Sequence, residues 1–298
     1  MRVTFSASFR DAAAEISRTA EQLAQAQHQV SSGRRISKPS DDATGTSAAI
    51  TDRAALGTLD AYTKTADTAT SRLTVVDSAL SDIINKITAA QSAVASARGS
   101  VPNQSQRDAA AASLQSISDA LLSDFNAQFH GAYLFGGSRA TTAPYTVGGG
   151  GVVSSYQGNA TTMSVDVGPG RSVQVAFDGS SIAQGSDPTD MFTVLSNLIT
   201  AAKTGNTGGL SQGLDALGRA LDRATLAQTQ VGTSLNALDD ARARLSDQQL
   251  NTSTQLAKTE DANMASAITQ MSQADTAYRA ALGAFSRIGT VSLMDYLK

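Results

Sequence analysis

The chain has 298 residues, 41% of them hydrophobic and only 16% charged, with a formal net charge of −3 and no cysteine. A charged share below the roughly 25% usual in soluble domains leaves a surface of Ser, Thr, Gln and Asn, which repels copies of itself weakly. The composition excludes disulfides and thiolate metal sites, offers no basic block for nucleic acid or an anionic membrane, and contains no apolar run near the ~18 residues of a bilayer span.

The opening, MRVTFSASFRDAAAE, lacks the continuous apolar region of a secretory signal peptide. From Phe5 a heptad pattern begins. Phe9, Ile16, Leu23 and Val30 recur every seven residues, and Phe5, Ala12, Thr19 and Ala26 fill the alternate slot. Steps of four and three put both series on one helix face. Gly33 follows the last periodic residue, where a left-handed cap is expected. Ser40 is the expected N-cap of the next helix, with Asp41 and Asp42 in its first turn, where the macrodipole favours carboxylates.

A second helical tract is predicted over about 40–97, with Leu73, Leu80, Ile87 and Val94 in one heptad series and Val76, Ile83, Ala90 and Ala97 in the other. Gly99 to Pro102 ends it. A third is predicted over about 104–130, carrying Leu114, Ile117, Leu121, Leu122, Phe125 and Phe129. The character then changes. Residues 131–190 hold half of the 24 glycines and three of the five prolines. Three stretches have strand character there: Val152, Val153 and Tyr156; Met163, Val165 and Val167; Val173, Val175 and Phe177. They predict a small β insertion that projects outward and tolerates deletion of 148–185. Helical patterning returns at Met191, and a long tract from about Leu210 repeats Val231, Leu238 and Leu245 by sevens, with Leu235 and Leu256 in the companion slot. After Asp261 the seam continues as Met264, Met271, Tyr278 and Phe285, with Ile268 and Leu282 between.

The pattern predicts a mainly α protein with a small β insertion: an elongated helical bundle whose N- and C-terminal helices pair as a coiled coil. Three parts are expected: terminal helices (1–45 and 256–298), an outer helical bundle (46–130 and 191–255) and the insertion (131–190).

No catalytic constellation accompanies this scaffold. His28 and His130 lack metal-ligand spacing, and Asp41-Asp42 and Asp239-Asp240 are explained by capping or solvation. The Gly168-Pro169-Gly170 run lacks the strand-to-helix context of a phosphate loop, and no GxSxG occurs. No enzyme activity, metal or cofactor is expected. The terminal strips are the informative feature. Three of the eight inner positions of 5–30 are Ala or Thr, so the strip buries little against the cost of ordering its backbone. Either the strips form a plain intramolecular coiled coil, or they order fully only within a polymer.

Residues 31–43, SSGRRISKPSDDA, resemble the N-terminal signature of the flagellin superfamily. Within it, MRVTFSASFR, YLFGGSRATTAPY at 133–145, YQGN at 156–159 and the ending SLMDYL are similar to the hook–filament junction family. Ala43, where that family often has Pro, and Met294, where Leu is usual, depart from its pattern. The resemblance implies a non-enzymatic structural protein of the bacterial flagellum, exported unfolded through the flagellar type III apparatus. An export chaperone would hold its C-terminal segment. It would assemble outside the cell as a homo-oligomeric ring between hook-associated protein 1 and the flagellin filament. Flagellin itself, and a binding or adhesin module on the insertion, stay open as alternatives. The candidate subunit-interface residues are Phe5, Phe9, Ile16, Leu23, Val30, Arg34, Arg35, Ile36, Asp41, Asp42, Met271, Tyr278, Leu282, Phe285, Leu293, Tyr296 and Leu297.

Overall fold

The computed structural model describes the backbone of residues 2–98, 103–149 and 152–296, with side chains except at 2–6, 8 and 288–296. The expected stop at Gly99 to Pro102 lies outside the described residues. Among the described residues seven helices and four strands follow in order: α1 (Arg2–Ser32), α2 (Ala43–Ala97), α3 (Gln104–Phe125), β1 (Gln128–Phe129), β2 (Ala132–Tyr133), β3 (Ser164–Gly168), β4 (Arg171–Gln174), α4 (Gly179–Ala183), α5 (Met191–Thr204), α6 (Thr207–Glu260) and α7 (Met264–Tyr296). The fold is mainly helical with small strand elements, as the hydrophobic period predicts.

The chain divides into two compact units, residues 1–58 with 248–298 and residues 59–247. The expected separate insertion is part of the second unit. Val167, Val173, Val175, Phe177, Ile182 and Ala183 are buried in the same core as the helices. The reason is chemical: a two-stranded hairpin has too little apolar surface to stand alone and gains by covering helices. It is therefore not a peripheral appendage.

In the second unit both heptad series of α2 are buried, from Leu73 and Val76 to Val94 and Ala97. They meet Leu114 and Leu121 of α3, Leu195 and Leu198 of α5, and Leu217, Val231 and Leu238 of α6 in one core. An aromatic cluster anchors the junction of helix and insertion: Phe125 has ring centroids 5.7 Å from each of Phe135, Tyr145 and Phe192. Burial pushes the Tyr145 phenol pKa up, with help from nearby carboxylates. Helix ends use local chemistry. Asn103 and Gln106 form a reciprocal capping box at α3, and Asp190 accepts from the Thr193 amide at α5. Gly205 closes α5 with φ +68°.

The third helical tract ends at Phe125, not at His130. Asn126 caps it, and Gln128–Phe129 pairs antiparallel with Ala132–Tyr133. His130 and Gly131 both have positive φ, 50° and 80°, the requirement of a tight two-residue hairpin turn. His130 is thus a turn residue stacked on Phe129, with centroids 4.1 Å apart. Met163 and Val165 do lead into a hairpin, closed at Pro169-Gly170. Residues 152–156 form no strand; Val153 makes only an isolated bridge to Val147.

The two glycine motifs of the insertion meet. The Asn159 side chain accepts from the Ser138 amide (2.8 Å) and donates to the Ser138 hydroxyl (2.7 Å). Tyr156 donates its hydroxyl to the Phe135 carbonyl at 2.8 Å. Gly137 sits at φ +64° with a would-be Cβ only 2.0 Å from the Asn159 carbonyl oxygen, so no side chain fits. Close packing and hydrogen bonding thus tie the 135–138 and 156–159 stretches together in this fold.

Candidate assembly interface

In the first unit α1 packs along α7. Fully buried side chains are few there. Thr19, Ala26 and Ala267 are the buried members among the described side chains of these two helices. Thr19 satisfies its hydroxyl on the Glu15 and Ile16 carbonyls, each at 3.0 Å. Ile16, Leu23 and Val30 are half-buried, as are Met271, Tyr278 and Phe285. Phe9 meets Phe285 with centroids 4.8 Å apart, yet remains 44% exposed.

The companion slot of α7 differs from the sequence expectation. The inward positions between Met271, Tyr278 and Phe285 are Ala267, Ala274 and Ala281, one residue earlier than Ile268 and Leu282. Small residues let two helix backbones approach closely, and the larger neighbours turn outward as a consequence. Met264, Ile268 and Leu282 are left 42%, 48% and 41% exposed.

The break at 31–43 is a built turn. Gly33 has φ +69°, and its amide donates to the Gln29 carbonyl at 2.9 Å. The chain then runs beside the α6–α7 connection. Arg35 donates its amide to the Glu260 carbonyl (2.6 Å), and Ala262 donates to the Gly33 carbonyl (2.9 Å). The Arg35 guanidinium contacts the Asp42 carboxylate (3.2 Å) and the Thr259 carbonyl (2.9 Å). Asp41 Oδ2 accepts from the Ser37 and Lys38 amides at 3.0 and 2.9 Å. Asp42, not Ser40, caps α2: its Oδ1 accepts from the Gly45 amide at 2.8 Å. The helix begins at Ala43, which places Asp42 one residue before the first turn, where a cap must sit. Backbone amides hold the carboxyls of both Asp41 and Asp42 below their ordinary value, with Arg35 adding to the effect at Asp42. Ile36 is 7% exposed and packs against Gly45, whose would-be Cβ lies 2.5 Å from Ile36 Cδ1.

Arg35 is thus engaged within its own chain. Arg34 is different: its backbone bridges Asp261, while its exposed side chain lines a cleft of about 550 Å³ with His28, Lys38, Ile50 and Arg53. Arg53 is ion-paired with the buried Glu260, and His28 Nδ1 lies 3.2 Å from the Ser37 hydroxyl. The cleft therefore presents an excess of positive charge beside exposed apolar surface. Sequence reasoning missed Arg53 and Glu260; the Glu260-Asp261 pair at the end of a long helical tract was the available signal. The side chains of Phe5, Leu293 and Tyr296, and all of Leu297, lie outside what is described. Among the described residues no group of three His, Asp or Glu side chains could hold a metal, and no helix is long and apolar enough to cross a membrane.

The chain resembles known proteins in sequence and fold. The bacterial flagellin N-terminal helical region matches residues 7–140, and the flagellin C-terminal helical region matches 214–297. The flagellar hook-associated protein 3 of Escherichia coli K12 is 26% identical over 293 residues, covering 91% of each chain. That of Salmonella typhimurium LT2 is 25% identical over 288 residues, covering 89% of this chain and 90% of the relative. A solved structure of hook-associated protein 3 from Legionella pneumophila is similar in fold, with a TM-score of 0.63 at 14% identity over 70% of this chain and 97% of that one.

Proposed function

Since this chain belongs to the flagellin family, we propose that it is the flagellar subunit that joins hook to filament, rather than the filament subunit. One observation carries this reading. The two flagellin regions leave 141–213 unmatched, whereas the resemblance to hook-associated protein 3 runs through the chain at 91% coverage on both sides. The family is one of structural flagellar proteins, and the role is mechanical, not catalytic.

In this reading the chain is exported through the flagellar type III apparatus, with a chaperone holding its C-terminal segment before export. Outside the cell, copies form a ring that contacts hook-associated protein 1 on one side and flagellin on the other. The physics is that of an unfinished surface. The α1–α7 pair buries mostly Ala and Thr, while Phe9, Met264, Ile268 and Leu282 stay two-fifths to half exposed. Each large side chain still to be covered offers part of the roughly 1.5–3 kcal/mol that full burial contributes. Neighbouring subunits supply that cover. Arg34, with Lys38 beside the cleft, takes carboxylates or carbonyls of a neighbour. Residues 1–45 and 256–298 act as the polymerisation segment, and 59–247 supplies a folded body.

Immunogold labelling of intact cells tests the role. A single spot at the outer end of the hook is expected. Label along the whole filament would instead make the chain a flagellin.

A further inference from the structure

The second unit carries a buried cation with an incomplete set of partners. Arg72 of α2 is 9% exposed. Its Nε donates to the Val175 carbonyl at 2.8 Å, while its buried Nη2 has no hydrogen-bond partner. Burial alone lowers its pKa, and no carboxylate offsets this. A buried guanidinium without a counter-charge is costly, and a missing hydrogen bond adds to that cost. Arg72 also lines an open depression of about 350 Å³ whose apolar walls are Ala69, Phe129, Met163, Val165 and Val175, with Lys64, Thr65 and Thr68 completing the lining. Met163 is 41% exposed, and its unbranched side chain can turn aside for an incoming group. The site is a largely apolar cup with two cations at its wall, the buried Arg72 and the exposed Lys64, which is ion-paired with Asp60. Its complement is a branched apolar side chain with a carboxylate one turn away.

The chain itself presents that complement on α6. Leu226 is 60% exposed, and Asp222 is exposed four residues before it, so both lie on one helix face. We propose that the Arg72 cup receives the Asp222–Leu226 face of a second copy of this chain. Leu226 fills the apolar part of the cup and the Asp222 carboxylate faces its cationic wall, the exposed Lys64 with Arg72 behind it, while the fully buried Nη2 of Arg72 stays out of reach. The two patches are different surfaces of one molecule, so the contact is head-to-tail, the type that closes into rings. The inference rests on the reading of the chain as a ring subunit. A second α6 pair, Asp247 and Leu250, has the same chemistry, but Leu250 belongs to the other compact unit. Copies at one level of a ring bring like units side by side, which selects Leu226.

The absence of native cysteine makes the test direct. Met163→Cys with Leu226→Cys in one full-length chain, treated with a short thiol cross-linker on isolated hook tips, is expected to give a ladder of multimers. Adding Asp222→Asn should lower the yield several-fold. Purified Met163→Cys and Leu226→Cys chains, mixed at high concentration, should give the mixed dimer above either chain alone. A chain found at the hook tip with no ladder overturns this contact and leaves the junction reading standing. A ladder from Met163→Cys with Leu250→Cys that matches or exceeds it also overturns the contact. A chain missing from hook tips defeats the junction reading, and the purified mixture then decides the contact alone: a mixed dimer supports it and its absence overturns it.

Discussion

Replacing Ile268 and Leu282 together by Ser separates a surface built for neighbours from one built for the chain's own stability. Both side chains are on the outward side of α7, 48% and 41% exposed. In the lone subunit the double change should cost no more than about 1 kcal/mol, as outward substitutions usually do. Covering the exposed fractions is worth about 0.7–1.4 kcal/mol at Ile268 and about 0.6–1.2 at Leu282, scaling the full-burial value by exposure. The sum, about 1.3–2.7 kcal/mol per subunit, is roughly an eight- to eighty-fold loss in assembly affinity. Urea unfolding of the purified chain measures the first quantity. Competition with the unaltered chain for incorporation at hook tips measures the second. A variant that unfolds several kcal/mol more easily yet incorporates normally would refute the reasoning.

Other expectations follow from the same geometry. Gly137→Ala must place a methyl group against the Asn159 carbonyl at positive φ, and should lower stability by at least about 2 kcal/mol in thermal unfolding; an unchanged melting point contradicts it. Removal of 286–298 should abolish incorporation while the helical circular dichroism and cooperative unfolding of the 59–247 body persist; a truncated chain that still joins hook to filament contradicts it. The lowered Asp41 and Asp42 values mean that their ionised forms favour the folded turn above the ordinary value of 3.8, and that this gain is lost as the pH falls through the lower native values. Carbon NMR titration should give native midpoints below 3.8 for both, and midpoints at or above it would contradict the hydrogen bonding described. Arg34→Ala should weaken incorporation and leave the unfolding free energy within about 0.5 kcal/mol of the original, since its side chain is exposed; equal incorporation contradicts a role for the cleft.

The long helices were legible because their burial is periodic. Leu73, Leu80, Ile87 and Val94 repeat by sevens and are all fully buried. Caps with a local donor were legible too, as at Gly33. Three things were not. The companion slot of α7 went unseen because Ala267, Ala274 and Ala281 carry little hydrophobic signal beside Ile268 and Leu282, although backbone proximity favours the smaller residues. The β1–β2 hairpin was hidden because Phe129 continues a helical spacing, and only the Gly131 turn breaks it. The burial of 165–183 was misread because hairpin periodicity reports alternation, not which surface lies beneath. At the interface, the sequence pointed to Arg35 and Asp42 as contacts for neighbours. The structure engages both in holding the turn, and the exposed side chains of Arg34 and Lys38 are the proposed contacts instead.

Hydrogen exchange on the full-length chain, alone and dilute and then in isolated hook tips, tests the central claim most directly. The largest fully buried side chains, from Tyr145 and Phe125 to Met191 and Leu195, all belong to 59–247, whereas the described parts of α1 and α7 bury almost nothing larger than Ala or Thr. The account predicts strong protection of 59–247 in both states, with α1 and α7 protected only in the assembled one. Protection of α1 and α7 in the lone chain equal to that of the 59–247 core would contradict it.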